Sequence, residues 1–238
     1  ALVWLTAAAA LTHAASPPDL PEGASLLGTL EPQSVVSRSA ALSQPMAAPR
    51  VALRADGTIQ HLRAPAEMHF NPGAATAGDA EVNARRFLDE HAAAFGLAPG
   101  SGSNLVTAKL RASGGRSYVK FDQALAGLPV FGGQAIVQLN ARDGVEYVAN
   151  HTARRVSLPE LRLAVLLPGL SAEEAATKAR EIAAPEAGGL AVLASAPRLT
   201  WFAPELVGLA GPLRLAWEVS AFTPDRIILH CRMFLDAT

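Results

Sequence analysis

Turn signals cut residues 104–150 into short pieces, and no other feature limits the fold of this chain as strongly. The stretch "NLVTAKLRASGGRSYVKFDQALAGLPVFGGQAIVQLNARDGVEYVAN" is interrupted at Gly114-Gly115, at Gly127 to Pro129 and at Asp143-Gly144. Glycine enters left-handed conformations without a Cβ clash, proline presets φ, and Asp-Gly favours a tight hairpin. The pieces between them, Leu105–Arg111, Ser117–Ala124, Val130–Asn140 and Val145–Asn150, read as the strands of an antiparallel meander. In the third, Ala135, Val137 and Leu139 share one face, and Ile136, Gln138 and Asn140 the other. Such alternation fits a sheet covered on one side, here by the helix that precedes it.

That helix is expected in "GDAEVNARRFLDEHAAAFGLAPG". Asp79 is its N-cap candidate, and Ala84, Phe87, Leu88, His91 and Phe95 fall on one face. Gly96 stands where a left-handed C′ residue belongs, with Leu97 supplying the apolar contact of such caps. Upstream, "RVALRADGTIQHLRA" reads as two short strands around an Asp56-Gly57 hairpin. Residues 154–168 read as a linker. Beyond it, Ser171 with Glu174 forms a capping box for a second helix that Pro185 closes, with Ala175, Ala179, Ile182 and Ala183 as its buried stripe. Strands follow at Leu190–Ser195 or Arg198–Phe202, at Leu213–Ala221 and at Ile227–Leu235. The expected architecture is α+β, with two lobes, each an antiparallel sheet packed by one main helix. The lobes are 50–153 and 154–238, after a loosely ordered lead-in over 16–49 with one short strand near Val35-Val36.

Half of the 238 residues are hydrophobic and 17% are charged, against roughly 25% charged in typical domains, so a sizeable core is expected, lean because much of it is alanine. Twenty basic and 21 acidic residues nearly cancel and form no basic stripe, which argues against a nucleic-acid partner. The lone cysteine, Cys231, excludes an intramolecular disulfide and reads as a small buried hydrophobe in "IILHCRMFLD". The start, "ALVWLTAAAALTHAASPPD", has an apolar run ending near Leu11, then small residues and a proline pair. Residues 1–15 therefore read as a signal peptide truncated at its start, cleaved after Ala14 or Ala15, in a secreted protein. The run is shorter than the about 20 residues of a membrane-spanning helix, so no stable span is expected.

No HExxH pair exists: Asp89-Glu90-His91 is followed by Ala-Ala-Ala-Phe, so no second ligand lies one turn on. His91 reads as a partly packed boundary residue, and Pro65 separates His61 from His69. No G-x-S-x-G elbow and no thiol-enzyme motif appear. Gly132-Gly133 lacks a following Lys-Ser/Thr and leads into a strand, so it is no phosphate loop. The glycine pair instead marks a bulge or a close backbone approach. Neither a catalytic constellation nor a cofactor site is expected in this chain.

The segment "SYVKFDQALAGLPVFGGQAIVQLNARDGVEYVAN" closely resembles the core motif of the fungalysin/thermolysin propeptide family, through Phe121, Gln123, Gly127, Pro129, Val130, Phe131, Gly132 and Gly133, then Asp143-Gly144. "RADGTIQHLRA" and "ARRFLDEHAAAFGL" resemble its earlier blocks. "LSAEEAATKARE", "RLTWFAPEL", "LRLAWEVSA" and "FLDAT" are similar to an adjoining PepSY-type module. Lys120 departs from the Arg of many relatives, and the chain stops before the Gly expected after Thr238. The resemblance implies the propeptide region of a secreted zinc metalloprotease precursor. Its role would be intramolecular chaperone and inhibitor of a catalytic domain following Thr238, its partner in cis. Zinc would belong to that domain, and the motif residues would be structural or protease-facing. The whole gene product would be a zinc metalloendopeptidase although this chain is not an enzyme. The alternative is a free-standing secreted binding or inhibitor protein built from the same modules.

Overall fold

The computed structural model describes residues 3–6, 32–34, 48–71, 78–97, 104–153, 168–224 and 229–238, the first two stretches as backbone only. In chain order its elements begin with β1 (Val3–Thr6), β2 (Pro32–Ser34), β3 (Arg50–Leu53), β4 (Ile59–Arg63), β5 (Met68–Phe70) and α1 (Ala80–Glu90). The meander follows as β6 (Leu105–Ser113), β7 (Arg116–Leu125), β8 (Leu128–Leu139) and β9 (Val145–His151). Last come α2 (Ala172–Ala183), β10 (Leu193–Ala194), β11 (Arg198–Phe202), β12 (Arg214–Phe222) and β13 (His230–Asp236). The chain forms two compact units. The meander unit holds Pro18–Ala124 and Gly132–Arg155; the C-terminal unit holds Ala1–Pro17, Leu125–Phe131 and Val156–Thr238.

In the meander unit, α1 begins where Asp79 Oδ1 accepts the Val82 N–H at 3.0 Å. It ends at Glu90, so His91 is a cap residue rather than part of the helical face. The chain then turns through Gly96 at φ 69°, with the Leu97 N–H donating to the Ala92 carbonyl at 2.8 Å and the Gly96 N–H to that of Ala93 at 3.2 Å. These paired bonds satisfy carbonyls that a helix end leaves open. Ala84, Phe87, Leu88 and Phe95 are buried with Val119, Phe121, Ala135, Val137, Leu139, Val145 and Val148. The alternation read in β8 is thus the inner face of a covered sheet. Each large side chain removed from water here contributes about 1.5–3 kcal/mol. Asn150 is fully buried and donates to the Ile59 and Phe95 carbonyls at 3.0 and 2.8 Å, tying β9 to the start of β4 and to the segment after α1.

In the C-terminal unit, the Ser171–Glu174 capping box opens α2 as expected. Ala175, Ala179 and Ala183 are buried against Val219, Ala221, Met233 and Leu235, and Ile182 only flanks that core. A methyl-only stripe lets helix and sheet backbones approach closely. The α-helix ends at Ala183, two residues before Pro185, and a 3-10 turn, Ala184–Ala187, follows it. β12 pairs antiparallel with β11 and with β13, and the backbone of β1 lies antiparallel along the far edge of β13.

The expected α+β arrangement, with each lobe an antiparallel sheet under its own helix, is corrected here. Strand dominates, and the ladders join through β8 into one mixed sheet. The reason lies in β8, which is 12 residues long. Its later part pairs antiparallel with β9 from Gln134 onward, while Val130 and Phe131 pair in parallel with Trp201 and Phe202 of β11. The strand near Val35-Val36 and the 154–168 linker fall, for Val35, Val36 and residues 154–167, outside the described residues.

Candidate functional site

The stretch from Phe121 to Gly133 was the strongest motif in the sequence, and its residues divide between different tasks. Ala126 and Gly127 connect β7 to β8 with φ of 48° and 83°. Two successive left-handed residues make the two-residue hairpin turn whose twist matches that of the flanking strands. Next, the Pro129 carbonyl accepts the Thr200 hydroxyl at 2.9 Å, and the Trp201 indole N–H donates to the Leu125 carbonyl at 2.9 Å. Val130 is buried opposite Trp201. The Phe131 ring lies 4.4 Å from that of Phe234 and 6.3 Å from that of Phe202, with the Arg232 guanidinium 5.7 Å above it. Gly127, Pro129, Val130 and Phe131 therefore belong to the C-terminal unit, seated on β11.

Gly132 follows at φ 73°, exposed, in the middle of a strand. A side chain at that φ crowds its own backbone, which glycine avoids. The chain passes from one compact unit to the other between Phe131 and Gly132, so this glycine sits at the crossing. Gly133, buried, resumes the meander unit.

Phe121 and Gln123 stay in that unit. Phe121 is fully buried, with the Arg85 guanidinium 5.0 Å from its ring centre; Arg85 also donates to the Leu105 carbonyl at 2.6 Å. The Gln123 side-chain amide is buried and bridges one residue twice. Its Nε2 donates to the Ala153 carbonyl at 3.1 Å, and its Oε1 accepts the Ala153 N–H at 2.7 Å. A backbone segment just past β9 is thereby paired as another strand would pair it. The motif residues position backbone; they do not converge on a reactive group.

The titratable cluster of the meander unit lies on the solvent face of β4 and β9. His61 Nδ1 shares a 2.9 Å hydrogen bond with the Tyr147 hydroxyl, and its ring meets that of His151 edge-on at 5.4 Å. Arg54 donates to the Asn150 and Thr152 carbonyls nearby, at 2.5 and 2.9 Å. Burial lowers the pKa of both histidines, and the neighbouring positive charge of His151 and Arg54 at His61, and of Arg54 at His151, lowers them further. Nothing local in the sequence marks this cluster, because strand pairing across 90 or so residues assembles it. His91 is also held low by burial, against Glu90, which raises it. Burial pushes the Cys231 thiol up, against its bond to the Ala221 carbonyl, so it carries little nucleophilic thiolate. Among the described residues no group of three or more His, Cys, Asp or Glu stands ready to hold a metal ion. No helix among them is long and apolar enough to cross a membrane.

The family model for the fungalysin/thermolysin propeptide motif matches residues 112–151, the run from the end of β6 through β9. No curated protein matches the chain. Among solved structures, the Bacillus megaterium YpeB C-terminal domain is similar at 18% identity and a TM-score of 0.30, over 68% of this chain. The chain spans 61% of the length of that structure.

Proposed function

We propose that this chain is the propeptide region of a secreted zinc metalloprotease precursor, acting as folding template and inhibitor of a catalytic domain joined in cis. The observation that carries the reading is the propeptide-motif match over 112–151, which contains Phe121, Gln123 and the whole Gly127–Gly133 stretch. Residues 154–238 are read as the adjoining PepSY-type module of the same precursor. The zinc ion is assigned to the catalytic domain. A preformed sheet suits the escort role, since extended segments of a partner add to sheet edges through backbone hydrogen bonds.

The gene supplies the first test. Codons after Thr238 encoding HExxH and a later glutamate ligand are expected; an immediate stop codon overturns the reading in cis. The second test mixes the purified chain with its cognate catalytic domain. Peptide hydrolysis is expected to fall at micromolar chain, and the yield of active enzyme on refolding is expected to rise. An unchanged hydrolysis rate overturns inhibition, and an unchanged yield overturns the template role.

A further inference from the structure

An open groove of about 880 Å³ lies on the meander unit, lined partly by residues of the matched 112–151 stretch but by none from Phe121 to Gly133. Its floor follows one cross-strand row: Arg50 of β3 faces Arg63 of β4, Arg63 faces Tyr147 of β9, and Tyr147 faces Gln138 of β8. Met68, Tyr118 and Arg116 complete the lining that matters here.

The charges on this face are not balanced pair by pair. Arg116 Nε lies 2.6 Å from Glu146 Oε2, and that same oxygen accepts the Gln138 amide at 2.7 Å, so Glu146 answers Arg116 rather than Arg50 or Arg63. Glu67 lines the groove from the β4–β5 turn without an ion pair to either remaining arginine. Arg50 and Arg63 are exposed and have no carboxylate within ion-pairing distance among the described residues. Like charges directly opposite on neighbouring strands are destabilising. The fold therefore holds two guanidinium forks side by side over a groove, each free to grip a carboxylate with two hydrogen bonds. The volume lies in the range that accepts a drug-sized ligand, far more than a lone anion needs. Tyr118, Tyr147 and Met68 add apolar surface for the rest of such a ligand.

We propose that this groove binds an extended polypeptide segment bearing Asp or Glu side chains, with Arg50 and Arg63 gripping a carboxylate and Tyr147 and Tyr118 covering its neighbours. The inference goes beyond the escort reading and stands whether or not a protease follows the chain.

The test is fluorescence anisotropy on the full chain, with a fluorescein-labelled peptide of alternating Glu and Thr and a matched peptide of alternating Lys and Thr. Only the acidic peptide is expected to bind, more weakly as salt rises, because exposed charges are screened. In Arg50→Gln/Arg63→Gln the affinity is expected to fall about tenfold through lost charge complementarity. Its melting temperature is expected to match or exceed that of the parent, since the cross-strand repulsion is gone. Equal affinity for both peptides, or unchanged affinity in the double variant, overturns the proposal. Displacement of the peptide by an equal concentration of inorganic phosphate or free glutamate overturns it too, making the groove a small-anion site. Should the double variant fail to fold, Arg50→Gln alone, on the edge strand β3, carries the same reading.

Discussion

Removing the side-chain amide of Gln123 tests the central structural claim about the motif. The amide satisfies both backbone groups of Ala153, and both residues are buried, at 4% and 3% exposure. In Gln123→Ala the N–H and the carbonyl of Ala153 each lose their partner. Each orphaned buried group costs about 1–3 kcal/mol, so the substitution is expected to destabilise by about 2–6 kcal/mol, a cavity adding to the upper end. Gln123→Glu separates the two bonds. An ionised glutamate keeps an acceptor for the N–H but presents a second oxygen to the carbonyl, whereas the protonated acid donates to it as the amide does. Burial favours the protonated form in the folded state, raising the folded pKa above the unfolded one. Stability relative to the parent is then best at low pH and lost as pH rises through the folded pKa. Urea unfolding followed by far-ultraviolet circular dichroism, near pH 4 and near pH 7, reads both variants. A cost below about 0.5 kcal/mol for Gln123→Ala, ordinary for a surface change, refutes the reasoning. A pH-independent difference for Gln123→Glu refutes the assignment of donor and acceptor.

Two further substitutions probe the strand crossing and the histidine cluster. Gly132→Ala forces a Cβ into φ 73° and is expected to cost about 1–2 kcal/mol in the same assay, whereas no change would show that β8 is extended there. His61 and His151 are held neutral in the fold, by burial first, while the unfolded chain takes up protons near the ordinary histidine value of 6.5. Their contribution is complete above that value and declines as pH falls from it toward the lowered folded values. The urea midpoint of the parent is therefore expected to drop from about pH 7 to about pH 5, and less so in His151→Gln, which removes one half-buried ring and its repulsion with His61. Identical pH profiles would remove the pair from the account. His69 and His91, also lowered, leave a remainder of the same sign in the variant.

Local chemistry was legible in the chain and long-range pairing was not. Asp79, Ser171 with Glu174, Gly96 and Gly127 each act within a few residues of themselves, and their caps and turns form where the residue types require. Ala135, Val137 and Leu139 were placed by period alone. The parallel contact of Val130 with Trp201 leaves no such trace, because an apolar strand reads the same whichever strand receives it. Missing it produced the expectation of two separate antiparallel sheets. The groove was hidden for a related reason. Arg50 and Arg63 flank an ordinary hairpin, and only the register of β4 on β9 sets Tyr147 beside them.

The crossing at Phe131 also orders events in time during synthesis. Residues Leu125–Phe131 leave the ribosome with the meander but complete their packing on β11, as in the bond from Thr200 to Pro129 across 71 positions. At 5–20 residues per second that partner emerges about 4–14 s later. Throughout that delay the nascent Leu-Pro-Val-Phe segment has β7 on one side and lacks β11 on the other. A gene cut between 153 and 154 makes the delay permanent in one fragment and leaves β11 without its parallel neighbour in the other.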